Sequence, residues 1–171
     1  LTKLDLSYCD SLQNVHGLAN CTKLTKLDLS SSAPSWNFTP RRRLNVDGLV
    51  NCTNLTRLDL RRCESLENVN GLAKCTNLTK LDLSYCDSLQ NVRGLAKCTK
   101  LNNLNLDGCY EIRNLDGLKN CTNLTNLNLS GCNSLQNVNG LTNLKNLTEL
   151  DLSGWSGESL QNLKGFSNCT F

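Results

Sequence analysis

The sequence predicts a solenoid of the α/β type, mostly β, with a parallel sheet on its concave face and 3₁₀ or irregular turns on its convex face. Three observations carry this prediction. The chain repeats itself every 23 residues, two different apolar spacings alternate inside each repeat, and the apolar residues are dominated by Leu while aromatics supply only 5% of the chain. A Leu core with so few aromatics is built from many equal thin layers rather than from one jigsaw of large side chains. At 171 residues the length fits one domain.

The repeat is explicit. LTKLDLSYCDSLQNVHGLANCTK at 1–23 returns as LTKLDLSYCDSLQNVRGLAKCTK at 78–100, differing only at His16/Arg93 and Asn20/Lys97. Units begin at Leu1, Leu24, Leu55, Leu78, Leu101, Leu124 and Leu147. The domain therefore divides into seven repeats: 1–23, 24–54, 55–77, 78–100, 101–123, 124–146 and 147–171. Only the second is lengthened, by eight residues inserted after its strand. Neither end carries the polar cap that repeat arrays need, so the expectation is a piece of a longer array.

Each unit opens on L-x-x-L-x-L, as at Leu78, Leu81 and Leu83, whose final spacing of two is a strand signal. Cys86, Leu89, Val92, Leu95 and Cys98 then recur every third residue, the period of a 3₁₀-like turn rather than of an α-helix. No single coil of this kind buries its Leu face alone, so neighbours must stack at the ~4.8 Å spacing of a sheet. Between strands, Asn14, Asn45, Asn68, Asn91, Asn114, Asn137 and Asn162 each precede a Gly by three residues. The expected reading is a turn in which Gly takes positive φ and Asn bonds nearby backbone.

The pattern L-x-x-L-x-L-x-x-C with its return segment resembles the leucine-rich repeat family along the whole chain. GLANCTKLTKLDL is similar to the short internalin-like repeats of bacterial surface proteins, and CTNLTRLDLRRCESL to the cysteine-containing repeats of F-box adaptors. Cys stands where internalin-like repeats have Asn, and the I-T-D portion of the cysteine-containing type is absent. The resemblance implies a right-handed arc and recognition of a protein on the concave sheet.

Cysteines form two columns, Cys9, Cys63, Cys86, Cys109 and Cys132 after the strand, and Cys21, Cys52, Cys75, Cys98 and Cys121 before the next, extended by Cys169. Ser32, Trp155 and Leu144 interrupt them, as expected of semi-buried positions that pack as small apolar side chains and donate weakly to backbone. Parallel Cβ vectors disfavour bridging, and the odd total of 11 argues against a disulfide framework. No metal or cofactor is expected, because the chain has no close C-x-x-C pair, one His and no Gly-rich phosphate loop. His16 occupies a site filled by Asp47, Asn70, Arg93, Asp116, Asn139 and Lys164 elsewhere, which reads as surface. The sequons at Asn20, Asn51, Asn77 and Asn120 arise automatically from a repeat containing NCT or NLT.

No apolar run approaches the ~18 residues of a membrane span, so membrane insertion is not expected. Free thiols suit a reducing intracellular compartment, while shielded ones survive on a bacterial surface or in a secreted protein; location stays open.

With the Leu residues turned inward, the third and fifth positions of each unit line the concave face. The third column reads Lys3, Lys26, Arg57, Lys80, Asn103, Asn126, Glu149 and the fifth Asp5, Asp28, Asp59, Asp82, Asn105, Asn128, Asp151. Stacked Asp residues repel, and the basic column beside them is expected to offset that repulsion in the first four units. Beyond the strand lie Tyr8, Arg61, Arg62 and Tyr85, then Gly108, Gly131 and Gly154. The insertion should emerge at this edge with Trp36, Phe38, Arg41, Arg42 and Arg43, so that six of the eight Arg fall within 41–62. Arg beside aromatics is the composition of interface hot spots.

The expected function is non-catalytic protein binding through Trp36, Phe38, Arg41, Arg42, Arg43, Arg57, Asp59, Arg61, Arg62, Lys80, Asp82 and Tyr85, with no catalytic residue. The alternatives are capture of a sulfated glycan or nucleic acid by the Arg cluster, and a purely structural array. The net charge of +3 is too mild to decide between protein and polyanion. An enzyme would require one thiol as nucleophile.

Overall fold

The computed structural model describes residues 1–31 and 44–154. Seven three-residue strands, β1 (Lys3–Asp5), β2 (Lys26–Asp28), β3 (Arg57–Asp59), β4 (Lys80–Asp82), β5 (Asn103–Asn105), β6 (Asn126–Asn128) and β7 (Glu149–Asp151), form one parallel sheet in sequence order. Each strand pairs in register with the same three positions of the next, Leu58 on Leu81 and Leu81 on Leu104. Each return path carries a three-residue 3₁₀ turn, from His16–Leu18 in the first coil to Asn139–Leu141 in the sixth.

The three-residue apolar period has a direct physical origin. Cys86 N–H donates to Leu83 O at 3.1 Å and Leu89 N–H to Cys86 O at 2.9 Å. After the turn Leu95 donates to Val92, Cys98 to Leu95 and Leu101 to Cys98, at 2.8–3.0 Å. Each i to i−3 bond brings the next third residue back to the same inner side, so the residues that close the turns are also those that fill the core. From Leu24 to Leu144 these side chains form one continuous cluster in which most are fully buried.

From Cys52 to Cys132 both cysteine columns lie in this core as unbridged thiols, a cysteine ladder in which each of these thiols reaches back one coil; Cys9 of the first coil is exposed and Cys21 half-buried. Cys86 Sγ donates to Leu60 O, Cys109 Sγ to Leu83 O and Cys132 Sγ to Leu106 O, each at 3.2 Å. In the second column Cys75 Sγ donates to Leu49 O and Cys121 Sγ to Leu95 O, each at 3.5 Å. The thiol fills a methyl-sized gap and satisfies a carbonyl at once, which accounts for Cys at these positions.

The Asn of each described N-x-x-G accepts the backbone N–H two residues on, as Asn45 does from Asp47 at 2.7 Å and Asn91 from Arg93 at 3.2 Å. The Gly has a different reason from the one the sequence suggests. None of the described Gly at this position has positive φ. Instead, a Cβ on Gly71 would lie 2.0 Å from Val46 O of the preceding coil, and one on Gly94 1.9 Å from Val69 O. Gly lets two coils touch backbone to backbone; the left-handed positions are at the far end of the strand.

Along another edge Asn54, Asn77, Asn123 and Asn146 donate side-chain N–H to Thr22 O, Thr53 O, Thr99 O and Thr122 O, at 2.7–2.9 Å. The Asn of the NLT triplets is thus a ladder residue whose amide nitrogen is already engaged. Among the described residues no helix is long and apolar enough to cross a membrane.

Candidate functional site

The concave face follows from strand alternation. Leu27, Leu58, Leu81 and Leu104 face inward at 1–3% exposure, which leaves their neighbours on the open side. Along β1 to β4 these neighbours border a trough of about 590 Å³, lined by Lys3, Asp5, Lys26, Asp28, Arg57, Asp59, Lys80 and Asp82 and closed by Asn103. A second trough of about 590 Å³ runs over β5 to β7 between Asn103, Asn105, Asn126, Asn128, Glu149 and Asp151. The structure thus brings together Arg57, Asp59, Lys80 and Asp82 from the expected set.

The fifth-position carboxylates do more than face the basic column. Asp28 Oδ1 accepts Ser30 N–H at 2.8 Å, Asp59 Oδ1 accepts Arg61 N–H at 3.0 Å, and Asp82 Oδ1 accepts both Ser84 N–H and its hydroxyl. Asn105 and Asn128 bond in the same way, to Asp107 N–H and Ser130 N–H. Asp and Asn are interchangeable here because the turn needs one acceptor oxygen, not a charge. The ion pair that forms is also local. Arg61 closes on its own Asp59, Nη2 to Oδ2 at 2.9 Å, and this pairing raises the guanidinium pKa. Among the described residues no third-column Lys or Arg is within ion-pair distance of the Asp column, so any offset between the columns acts across the face without contact.

The eighth position of the coil forms the rim. Tyr8, Arg62 and Tyr85 have φ of 62°, 58° and 58°, the left-handed conformation that Gly108, Gly131 and Gly154 adopt in later coils. A non-Gly residue there costs roughly 1–2 kcal/mol. The Arg62 guanidinium lies 5.3 Å from the centre of the Tyr85 ring, a cation–π stack. The ring in turn rests over Gly108, where a Cβ would come within 2.7 Å of Tyr85 Cδ1. The nearby Asp107 carboxylate raises the phenol pKa of Tyr85. Arg62 and Tyr85 are thereby fixed side by side, with Tyr85 40% exposed and Tyr8 67% exposed.

Sequence reasoning placed Arg61, Arg62 and Tyr85 beyond the strand but missed the stack of Arg62 on Tyr85 and the Asp107 carboxylate near its hydroxyl. It also missed that the rim is left-handed, although Gly at the same register in three coils is the signal for it. Trp36, Phe38, Arg41, Arg42 and Arg43 lie outside the described residues. His16 is exposed, with its backbone N–H on Asn14 Oδ1.

The interior thiols are held away from chemistry. Burial pushes Cys75, Cys121 and Cys132 up to about 12 and Cys98 up to about 11, and raises Cys86 and Cys109 well above the ordinary value. They are neutral at physiological pH and poor nucleophiles. Among the described residues no group of three or more His, Cys, Asp or Glu is placed to hold a metal ion.

The geometry has known counterparts. Internalin C2 from Listeria monocytogenes superposes with a TM-score of 0.65 at 20% identity, covering 99% of this chain and 77% of that one. InlJ from the same organism, whose functional domain includes a cysteine ladder, gives 0.56 at 19%, covering 98% and 44%. TLR13, solved as a complex with ssRNA13, gives 0.64 at 24%, covering 98% and 24%. At these identities the likeness is one of fold. No curated protein sequence matches the chain. A leucine-rich repeat model matches residues 51–69, and the model described as the Endo-beta-N-acetylglucosaminidase EndoS LRR domain matches residues 80–170, just over half of the chain. With its strand ladder, 3₁₀ returns and buried Leu frame, the chain belongs to this family of leucine-rich repeat domains.

Proposed function

We propose that the chain is a non-catalytic protein-binding module whose contact surface is the concave face of β1 to β4 and the rim beside it. Arg57, Asp59, Lys80 and Asp82 form the floor, and Arg61, Arg62 and Tyr85 the edge. Trp36, Phe38, Arg41, Arg42 and Arg43 of the insertion, outside the described residues, belong to the proposed contact set by their composition. One observation carries the proposal. Three coils hold Tyr or Arg in a left-handed turn that three other coils of the same fold fill with Gly. The turn itself has no use for those side chains, and Tyr and Arg are residues that anchor interfaces. The neutral thiols support the non-catalytic part. The enzyme in the name of the matched model lends this chain no catalytic residue.

The test is capture from a cognate extract by the immobilised chain, set against Arg57→Glu/Lys80→Glu and Arg62→Gly/Tyr85→Gly variants. The first variant is expected to keep the thermal midpoint, the second to keep or raise it by relieving left-handed strain, and both to lose the retained protein. An unchanged set of retained proteins on both would sink the proposal.

A second reading rests on the Arg content of residues 41–62, and a solved neighbour was crystallised with ssRNA13. Under it the rim binds a polyanion. Heparin and single-stranded RNA are the probes: affinity that falls steeply with salt and vanishes in Arg41→Ala/Arg42→Ala/Arg43→Ala would replace the protein reading.

A further inference from the structure

We infer that the trough over β5 to β7 is a binding site for a short neutral oligosaccharide, held by the side-chain amides of two successive coils and the carboxylates of the next. The site lies apart from the β1 to β4 surface, and the inference stands without the protein-binding reading.

The lining changes kind between the two halves of the concave face. In the first four coils each strand carries one Lys or Arg and one Asp, whereas β5 and β6 carry Asn at both positions, Asn103 with Asn105 and Asn126 with Asn128. The fold does not require this switch, since Asp28, Asp59 and Asp82 serve the same turn bond that Asn105 and Asn128 do. What the switch adds is a set of N–H donors. All four Asn are half-buried, and they line the trough of about 590 Å³ in register, Asn103 on Asn126 and Asn105 on Asn128.

Hydrogen bonds fix what each amide offers. The oxygen of Asn128 accepts Ser130 N–H at 2.8 Å, so its nitrogen is the free end. Asn105 is held in the same sense by Asp107 N–H at 3.0 Å and gives one amide hydrogen to Asp82 Oδ2 at 3.4 Å. Asn126 donates to Glu149 Oε2, which leaves the second carboxylate oxygen of Glu149 open. Among the described residues the Asn103 side chain has no hydrogen-bond partner. Asp151 adds a second carboxylate to the same lining. Amide donors and carboxylate acceptors thus border one space, and a hydroxyl group, which both donates and accepts, uses both. Side chains already held in place lose little freedom on binding.

Other ligands are poorly served. Among the described residues no Lys or Arg lines this trough, and two carboxylates do, so phosphate and sulfate groups are repelled. Leu104 and Leu127 are turned into the core at 1% and 2% exposure, and the eighth positions beside them are Gly108, Gly131 and Gly154, so a protein finds no apolar or Arg anchor. β5 and β7 lie about 10 Å apart at the spacing of a sheet, which suits several linked sugar rings rather than one.

The experiment titrates the isotopically labelled chain with neutral tri- and tetrasaccharides of glucose, galactose, mannose and N-acetylglucosamine, and with sulfated counterparts, following the Asn side-chain amide signals by NMR. At least one neutral saccharide is expected to shift the Asn103 and Asn128 signals with an affinity that does not change with salt, and its sulfated counterpart to shift neither. Asn103→Asp/Asn128→Asp keeps an oxygen for Ser130 N–H and removes the donors, and is expected to weaken binding by about tenfold or more. Arg57→Glu/Lys80→Glu is expected to leave the saccharide affinity unchanged, so this inference and the protein-binding reading fail separately. Two results would overturn the inference: no neutral saccharide moves the Asn103 and Asn128 signals, or the affinity survives Asn103→Asp/Asn128→Asp. A protein retained from extract that moves those signals when no saccharide does would give the trough to a protein instead.

Discussion

The first four coils and the last three share one interior and present two different surfaces. Inside, Leu81 and Leu127, Cys86 and Cys132, and Gly94 and Gly140 occupy matching places with matching burial. Outside, Lys and Arg in the third column become Asn and Glu, and Tyr or Arg on the rim becomes Gly. Residues that set the distance between coils are held fixed along the array, and residues that merely face solvent are free to vary. A partner reading the concave face would meet a charged half and a neutral-to-acidic half, and so a direction along the arc.

The strongest test of the shared interior is Gly94→Ala against Gly117→Ala. A Cβ at either position falls 1.9 Å from a carbonyl oxygen, so both substitutions should destabilise by about 3–5 kcal/mol in urea unfolding. A tolerated change in one half alone would show that the two interiors are not equivalent.

Alkaline pH probes the same interior through its thiols. Folding raises Cys75 and Cys121 from an ordinary 9.0 to about 12, so the folded chain keeps protons that the unfolded chain loses. Their stabilising contribution is whole below pH 9 and is lost as pH rises towards 12. By pH 11 the loss is on the order of 2 kcal/mol per thiol. Urea midpoints should therefore fall steeply between pH 9 and 11, and Cys75→Ala should flatten the slope. A slope unchanged by that substitution would place the titration elsewhere.

The rim separates the halves by a smaller amount. Gly131→Ala introduces left-handed strain with nothing closer than 3.6 Å and should cost roughly 1 kcal/mol. Gly108→Ala adds a collision with Tyr85 and should cost more while releasing Arg62 from its stack. Equal costs would mean that Tyr85 swings away freely.

The smallest effect belongs to the concave floor. Lys80→Asn copies the later coils and should change stability by about 0.5 kcal/mol or less, because an exposed charge without an ion pair contributes little. Asp82→Asn should be equally mild, since the amide oxygen still accepts Ser84 N–H. A large loss from Asp82→Asn would show that the turn depends on charge.

The fold was legible because its determinants are local and repeated. Three-residue spacing is a record of i to i−3 bonding, and one coil displays all of it. The role of the N-x-x-G glycine was not legible, since it is a distance between coils that no single repeat contains. Rim geometry lay between these cases. Gly108, Gly131 and Gly154 mark a left-handed site, yet Tyr8, Arg62 and Tyr85 give no local sign of it, because the conformation is imposed by the turn and not by the residue. Asp107 escaped notice because Tyr85, whose pKa it raises, belongs to the previous coil. The Asp column looked like charge pairing when its nearest obligation was to its own backbone.

The cysteine ladder makes the chain a gauge of its own stacking. A thiol sealed against a carbonyl one coil back is released only when that boundary parts. The third, fourth and fifth coils each contribute a pair, Cys63 and Cys75, Cys86 and Cys98, Cys109 and Cys121. Under tension or mild denaturant, labelled thiols would appear two at a time, and their number would report how many layers had peeled from the array.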